Sequence, residues 1–253
     1  MGVVLRALLA RQAAVARRRI GKPLGEDSID ADREWGSRRG GAPLHLVLLG
    51  DSIAAGLGAS RPKETLGGRL AKGISRAMDR PVRLHTLARV GSESSALVDQ
   101  LARLPREIRP DVAVIVVGGN DVTHRRPVAQ SAAHLAEAVR RLRGDGVPVI
   151  VGTCPDLAAL RPVPQPLRTL AGRMSRRLAR AQTREAARAG GVPVSLRATV
   201  GPVFLAHPEE MFAMDRFHPS AAGYRRTAEA MVPAVIEALR DARVDERRPV
   251  PVG

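Results

Sequence analysis

The chain alternates short apolar runs with longer segments in which apolar residues recur every three or four positions. Short apolar runs bounded by turn residues are typical of strands buried on both faces of a parallel sheet, whereas the longer spacing is typical of amphipathic helices. Strands that alternate with helices predict an α/β domain whose parallel strands are joined by right-handed crossovers. The predicted strands are 44–50, 81–88, 111–117, 147–152 and 192–196, and the predicted helices are 65–78, 96–104, 129–143, 167–189 and 220–242.

The two ends of the chain lie outside this alternation. Residues 1–20 place valine and leucine on one helical face and arginine on the other. Such a helix lies either on an anionic membrane surface or on the flank of the domain with its arginines in water. Residues 21–43 lose the helical period and contain a glycine cluster, which predicts a linker or wrapping arm. The predicted organisation is a helix and arm over 1–43, an α/β domain over 44–242 and a tail over 243–253.

Charge narrows the classes of partner. The chain carries 41 basic and 25 acidic residues, a formal net charge of +16. This surplus favours acidic partners such as nucleic acid, anionic lipid or phosphate-bearing substrates. Aromatic residues make up only 2% of the chain, too few for the stacking platform of a single-strand binder. Composition therefore argues against nucleic acid, and we expect a small-molecule or lipid substrate, with residues 1–20 as the candidate contact with an anionic membrane.

Cysteine content and the length of apolar runs bear on the compartment. Cys154 is the single cysteine, so neither an intramolecular disulfide nor a cysteine-based metal site is available. No apolar run approaches the roughly 18–20 residues of a membrane span. Arg6 and Arg11 interrupt the N-terminal segment before the apolar core of a signal peptide develops. We expect a cytoplasmic protein, with peripheral contact at the inner membrane surface as the alternative.

The first predicted strand ends in a candidate nucleophile. The apolar run that begins at Leu44 ends in Gly50-Asp51-Ser52 and is followed by small residues. In an open α/β sheet, ligands bind at the carboxyl ends of the strands, and small neighbours would admit a substrate. Ser52 is therefore a candidate nucleophile. The alternative is that Ser52 only caps the following helix.

A serine nucleophile needs a base, a group that orients this base and donors for the oxyanion. Histidine suits the role of base. His218 stands just before a predicted helix, and Asp215 precedes it by three residues. This spacing lets Asp215 reach the Nδ1 proton and leaves Nε2 free to face a serine; the alternative is a helix-capping turn. The other histidines lie in predicted strands (His45, His85), on a helix (His134) or in loops (His124, His207).

Four short motifs occur in a fixed order along the chain. They are Gly50-Asp51-Ser52, Gly91, Gly119-Asn120-Asp121 and Asp215-x-x-His218. Together they resemble the SGNH hydrolases, also called GDSL esterases/lipases, over about residues 44–225. The first motif continues with Ile-Ala, whereas the commonest form in that family continues with leucine. The resemblance implies one three-layer α/β/α domain with a flavodoxin-like parallel sheet of about five strands.

The same resemblance implies roles for individual residues. Ser52 would be the nucleophile, His218 the general base and Asp215 the acid that orients it. The oxyanion would be held by the backbone N–H groups of Ser52 and Gly91 and by the side-chain amide of Asn120. Glycine permits close approach of the backbone, and an amide donates a hydrogen bond without adding charge. Losing one such donor typically costs about 2.7–4 kcal/mol of transition-state stabilisation.

Two further acids belong to these motifs. Asp51 and Asp121 are expected to brace their loops rather than to titrate in the reaction. The implied mechanism uses neither a cofactor nor a metal ion, so we expect none.

Two segments bear on the substrate. The stretch before the base is rich in Phe and Met, and flexible Met side chains tolerate varied acyl chains; the alternative is ordinary core. Helix 167–189 carries seven arginines and one acid, and its arginines either attract an anionic substrate or only face water. The candidate acyl pocket comprises Phe204, Leu205, Met211, Phe212 and Met214.

Three functions follow from these features. The first is a serine esterase that hydrolyses carboxylic esters, of lysophospholipase or short-acyl type, through an acyl-enzyme. The second is an acyltransferase or carbohydrate O-acetylesterase on the same site. The third is a non-catalytic basic module that binds membrane or polyanion through residues 1–20 and 167–189. The four motifs favour an enzyme, because a binding module has no need of them.

Overall fold

A computed structural model describes residues 3–20 and 28–246. The strands are β1 (Glu34–Trp35), β2 (Leu44–Gly50), β3 (Val82–Thr86), β4 (Val112–Val116), β5 (Val149–Gly152) and β6 (Val192–Val194). The helices are α1 (Val3–Arg19), α2 (Ser52–Ala55), α3 (Leu66–Met78), α4 (Leu97–Leu101), α5 (Gly119–Thr123), α6 (Val128–Gly144), α7 (Leu167–Arg188), α8 (Leu196–Thr199), α9 (Gly201–Ala206), α10 (Pro208–Met211) and α11 (Ala221–Glu246). These strands form one sheet in the order β1-β3-β2-β4-β5-β6, antiparallel at β1 and parallel elsewhere.

Alternate residues of the central strands enter two apolar layers, one on each face of the sheet. Leu46 and Leu48 of β2 belong to the layer shared with α3 and α11, whereas Val47 and Leu49 belong to the layer shared with α6. A strand buried on both faces has a strongly specified register, because a one-residue shift exchanges its two faces. The carboxyl ends of β2 and β4 are therefore held firmly. The predicted three-layer α/β/α class is confirmed.

The sheet has six strands rather than about five. The additional strand, β1, lies inside the predicted arm and pairs Trp35 with Val82 of β3. The Asp32 carboxylate also accepts a hydrogen bond from the backbone N–H of Thr86, at 2.8 Å. A strand of two residues is too short to show a period of its own, so only its pairing partner reveals it.

Several boundaries differ from the prediction for local reasons. β6 ends at Val194 rather than at residue 196, because the Ser195 side chain caps α8 by accepting a hydrogen bond from the Ala198 N–H. The stretch 204–217, predicted to be irregular, includes the second half of α9 and all of α10. α11 continues to Glu246, into the predicted tail. Residues 21–27 of the arm and 247–253 of the tail lie outside the described residues.

Helix α1 lies on the flank of the domain. Leu9 and Ala16 are 2% and 6% exposed, whereas Leu8 is 42% exposed. The apolar side chains of Leu9 and Ala16 therefore face protein, as the flank interpretation requires. Contact of residues 1–20 with a membrane stays a prediction. Within residues 3–20 and 28–246, no helix combines the length and the apolar character needed to cross a membrane.

Candidate active site

Ser52 lies at the carboxyl end of β2, as the first residue of α2. The N-cap of this helix is Asp51, whose carboxylate accepts a hydrogen bond from the Ile53 N–H at 3.0 Å. Ser52 is thus not the cap, and its hydroxyl is free for another partner. The sharp turn depends on Gly50, which has φ +134° and whose added Cβ would lie 1.8 Å from the Val116 carbonyl oxygen.

The structure brings Ser52, His218 and Asp215 into one hydrogen-bonded row. His218 Nε2 lies 3.0 Å from Ser52 Oγ, and His218 Nδ1 lies 2.6 Å from Asp215 Oδ2. The second carboxylate oxygen, Asp215 Oδ1, accepts hydrogen bonds from the backbone N–H groups of Phe217 and His218, both at 3.0 Å. This tight turn explains the spacing of three residues, because one carboxylate holds both the loop and the ring.

Burial and hydrogen bonding act in opposite directions on Asp215. Burial raises the pKa of this carboxyl, but the hydrogen bonds from the His218 ring and from two backbone N–H groups outweigh it and hold the pKa below its usual range. Asp215 is therefore ionised at neutral pH. An ionised carboxylate beside Nδ1 fixes the ring orientation and stabilises a positive charge on His218.

Two of the three predicted oxyanion donors belong to residues that line the cleft, and the third does not. The N–H of Ser52 belongs to the first turn of α2, where backbone donors have no partner within the helix. The Asn120 amide lines the cleft beside Ser52 and donates one hydrogen bond to the Ser92 carbonyl at 2.9 Å. An amide nitrogen carries two hydrogens, so a second donor remains at Asn120. Gly91 is exposed and is not among the residues that line the cleft.

Glycine suits position 91 because of its backbone conformation and not because a side chain would clash there. Its φ is +79°, and no atom would lie within 4 Å of an added Cβ. The sequence analysis expected glycine to let the backbone approach the oxyanion closely, and the structure does not show such an approach at Gly91. The left-handed conformation itself favours glycine and turns the backbone toward Ser92.

Buried polar side chains brace the loops at the strand ends. Gln100 accepts a hydrogen bond from the Gly50 N–H at 2.9 Å, and its amide donates to the Gly50 carbonyl at 2.8 Å and to Ser92 Oγ at 3.1 Å. Asp121 accepts from the N–H and Oγ of Ser94, at 3.1 and 3.0 Å. Sequence reasoning anticipated the bracing role of Asp121 but missed Gln100. The available signal was a glutamine on the same helical face as Leu97.

The carboxyl group of Asp51, next to Ser52 in the chain, has a raised pKa. Burial raises the pKa of its carboxyl from 3.8 to about 6, even though hydrogen bonds from the N–H groups of Ile53, Gly119 and Gly118 lower it. Its position agrees with a bracing role, since it joins the loop after β2 to the loop after β4.

The other predicted histidines make separate contacts. His45 and His85 stack with ring centroids 5.2 Å apart on neighbouring strands, and His45 Nδ1 lies 3.0 Å from His85 Nε2. His124 Nδ1 lies 2.6 Å from Glu93 Oε1 at an exposed position. In the described ranges, no three His, Cys, Asp or Glu side chains are grouped so as to hold a metal ion.

A cleft opens beside Ser52 and encloses about 810 Å³, its mouth included. Of the candidate acyl-pocket residues, Phe204 and Phe212 line the cleft, and their rings pack edge to face with centroids 5.1 Å apart. The prediction was wrong for Leu205, Met211 and Met214. Met214 is 93% exposed, Leu205 points to solvent from α9, and Met211 is buried in the core cluster that includes residues of α11.

The remaining apolar lining comes from segments that were not predicted to form it. Segment 155–166 is proline-rich and contains one short 3₁₀ turn, Leu157–Ala159. Because it shows no hydrophobic period, the sequence does not indicate which side chains point inward. Apolar lining residues outside the predicted set include Leu157, Ala159, Leu160, Val200, Phe217 and Pro155.

One arginine of α7 reaches a cleft residue. Asp156 lines the cleft, and its carboxylate lies 3.2 Å from Arg176 Nη1 and 3.4 Å from Arg197 Nε. Further along α7, Glu185 pairs with Arg184 and Arg188. The attraction of an anionic substrate by this helix remains a hypothesis.

Comparison with known proteins agrees with this geometry. Residues 48–226 match the model of the GDSL-like Lipase/Acylhydrolase family. The chain is 41% identical over 250 residues to the GDSL-like esterase Rv1075c of Mycobacterium tuberculosis, an alignment covering 93% of this chain and 78% of that protein.

Solved structures share the fold. The crystal structure of TesA is 25% identical and superimposes with a TM-score of 0.60 over 77% of this chain and 99% of TesA. A catalytic mutant of Axe2, an acetylxylan esterase from Geobacillus stearothermophilus, is 19% identical with a TM-score of 0.60 over 79% and 96% of the two chains. The chain belongs to the GDSL-like lipase/acylhydrolase family and is a hydrolase that acts on ester bonds.

Proposed function

We propose that the chain hydrolyses carboxylic esters through an acyl-enzyme on Ser52, with His218 as general base and Asp215 as the acid that orients it. The observation that carries this proposal is the row of two hydrogen bonds, 3.0 Å from Ser52 Oγ to His218 Nε2 and 2.6 Å from His218 Nδ1 to Asp215 Oδ2. A nucleophile, a base and an orienting acid within hydrogen-bond reach are the requirements of this chemistry.

Acylation begins when Ser52 Oγ attacks the ester carbonyl carbon and its proton passes to His218 Nε2. The carbonyl oxygen becomes an oxyanion that accepts hydrogen bonds from the Ser52 N–H and the second Asn120 amide hydrogen, whereas Gly91, outside the cleft lining, is not assigned this role. When the tetrahedral intermediate collapses, the carbon–oxygen bond to the alcohol breaks, and the alcohol leaves with the proton from Nε2. Asp215 stays ionised throughout and keeps the Nδ1 proton in place.

Deacylation repeats these steps with water. Water loses a proton to His218 Nε2 as it attacks the acyl carbon. The bond to Ser52 Oγ then breaks, and Oγ takes the proton back from Nε2. The products are one carboxylic acid and one alcohol, and the enzyme returns to its starting state. An alcohol acceptor in place of water would give acyl transfer on the same groups.

The cleft lining favours an apolar acyl group. Phe204, Phe212, Leu157 and Leu160 line the cleft beside Ser52. Transfer of acyl methylene groups from water to such a surface is favourable by about 0.8 kcal/mol each, whereas sugar hydroxyls buried there would lose their hydrogen bonds to water. We therefore assign the substrate to acyl esters of the short-acyl or lysophospholipid type ahead of O-acetylated carbohydrate.

The test is labelling by a fluorophosphonate, followed by intact mass, on wild type, Ser52→Ala and the control Ser37→Ala. Ser37 is an exposed turn residue. We expect one adduct on wild type and on the control and none on Ser52→Ala. A series of p-nitrophenyl esters from acetate to decanoate then reports the preferred acyl length. An adduct that persists in Ser52→Ala, or no adduct on folded wild type, would remove the proposed mechanism.

A further inference from the structure

Helix α1 stands outside the part of the chain that carries the family match. The match covers residues 48–226, and α1 spans Val3–Arg19. α1 supplies no member of the row formed by Ser52, His218 and Asp215. Its buried residue Ala16 nevertheless belongs to the same hydrophobic cluster as Leu157 and Leu160 of segment 155–166, which forms one wall of the cleft.

Polar contacts attach both ends of this wall to helices. At the C-terminal end of the wall, the Gln12 side chain of α1 accepts a hydrogen bond from the Leu167 N–H at 3.0 Å and donates one to the Gln165 carbonyl. At the N-terminal end of the wall, the Leu157 N–H donates a hydrogen bond to Ser175 Oγ of α7 at 3.2 Å. A segment with little regular structure depends on such contacts for its position, because few backbone hydrogen bonds of its own hold it.

Apolar contacts place α1 one layer behind the cleft lining. Ala16 and the following Ile20 belong to the same hydrophobic cluster as Leu157, Leu160 and Phe217, and these last three residues line the cleft. The C-terminal end of α1 also contacts the loop between Asp215 and His218, because Arg216 Nη2 donates a hydrogen bond to the Arg19 carbonyl at 2.9 Å.

We propose that α1 determines acyl-chain selectivity by fixing the position of the 155–166 wall. This inference rests on the proposed function, since it concerns how the same cleft holds the acyl group. Protein interiors are close-packed, so a change of one methylene in the second layer is transmitted to the first. Displacing α1 moves Leu157 and Leu160, which contact the distal carbons of a long acyl chain, and spares the atoms that react. Gln12 and Ala16 are positioning residues in this scheme.

The experiment uses the full chain with two changes on α1 and one control for each. Ala16→Glu places a carboxylate at a buried position, and its control is Ala10→Glu on the exposed face. Gln12→Ala removes the hydrogen bonds to the wall, and its control is the exposed Arg11→Ala. The measurements are kcat/KM for p-nitrophenyl acetate and octanoate, fluorophosphonate labelling at Ser52 and hydrogen exchange over residues 155–167.

We expect the octanoate-to-acetate ratio of kcat/KM to fall about tenfold in Ala16→Glu and about threefold in Gln12→Ala, the size of effect that one or two lost pocket contacts produce. Both controls should keep the wild-type ratio. Labelling of Ser52 should persist, and exchange over residues 155–167 should speed up in the two α1 variants. A purely structural role would lower both esters alike and leave the ratio unchanged.

Two results would overturn the inference while leaving the proposed function intact: an unchanged ratio in Gln12→Ala with Ser52 still labelled, or an equal loss on both esters. If Ala16→Glu does not fold, the conservative Gln12→Ala decides the question. Absence of an adduct on folded wild type is a different failure, since it removes the proposed function and with it the premise of this inference.

Discussion

Two parts of the site are held in place differently. We call the residues that surround the nucleophile at the ends of β2 and β4, with Gln100, the frame, and residues 155–166 the wall of the cleft. In the frame, Ser52 and Asn120 closely follow β2 and β4, strands in which every residue except His45 is buried, and the Gln100 side chain ties the end of β2 to Ser92 in the loop after β3. In the wall, residues 155–166 form turns whose position depends on α1 and α7 behind them. One site therefore combines a rigid part that carries out the chemistry with a part, supported from behind, that holds the substrate.

This contrast separates two kinds of defect. Changes in the frame should lower the rate for every ester, because they displace the reacting atoms. Changes in the wall should alter the preference among esters, because they displace only the surface that holds the acyl chain. His218 completes the frame, since it lies on the loop after α10 and its ring reaches Ser52.

The largest effect on activity should come from weakening the contact between Asp215 and His218. Asp215→Asn removes the charge beside His218 Nδ1 and permits the wrong ring tautomer, so kcat should fall by about 10⁴-fold. The loss should be equal for p-nitrophenyl acetate and octanoate, and the control Asp99→Asn, at an exposed position, should keep wild-type kcat. A loss confined to one ester would show that Asp215 acts on binding rather than on the base.

A smaller effect should come from the frame itself. Gln100→Leu leaves the Gly50 N–H without its buried partner, whereas the Gly50 carbonyl still accepts a hydrogen bond from the Arg89 N–H at 3.2 Å. The free energy of unfolding should therefore fall by about 2 kcal/mol. Activity should fall for all esters while the chain-length preference stays constant. Urea denaturation and an ester series check both statements, with the exposed Gln130→Leu as control. A shift in chain-length preference would break the distinction between frame and wall.

The pH dependence of stability should also report on the frame. Burial raises the pKa of Asp51 from 3.8 to about 6, so between these values the folded state binds more protons than the unfolded state. The contribution of Asp51 to stability is therefore fully present below pH 4 and is lost as pH rises through 6. The change amounts to about 3 kcal/mol.

Asp51→Asn removes this titration. From pH 4 to pH 7, the free energy of unfolding of wild type should fall by about 2 kcal/mol relative to that of Asp51→Asn, because part of the change has already occurred at pH 4. Urea denaturation of both proteins at the two pH values measures the difference, and other acids cancel in it. Parallel pH profiles would mean that Asp51 is ionised as easily in the folded chain as in the unfolded one.

The smallest effect should come from the lining opposite the nucleophile. Phe212→Ala removes a ring that lines the cleft, so kcat/KM for p-nitrophenyl octanoate should fall about tenfold more than that for acetate. Met214→Ala is the matched comparison, because Met214 lies two residues away and is 93% exposed. It should leave both values unchanged. Equal responses of the two variants would place the acyl chain elsewhere.

Local patterns were sufficient for much of the fold and for the centre of the site. Strands buried on both faces leave continuous apolar runs, which is why β2 and β4 were predicted close to their observed bounds. The predicted residues Ser52, Asn120, Asp215 and His218 were identifiable because each belongs to a short motif, and one loop turn already relates Asp215 to His218. Their meeting in space was an expectation that rested on the order of the motifs.

The remaining features depend on contacts between distant parts of the chain. β1 exists only through its pairing with β3, and Gln100 braces Gly50 across fifty positions of sequence. Which residues of 155–166 face the cleft is decided by α1 and α7, because that segment has no period of its own. The local sequence pattern was enough to predict β2 to β6, the layers and the reacting groups, because buried strands and short motifs are visible in the sequence. The shape of the cleft depends on tertiary contacts, because its wall is positioned only by the helices that support it.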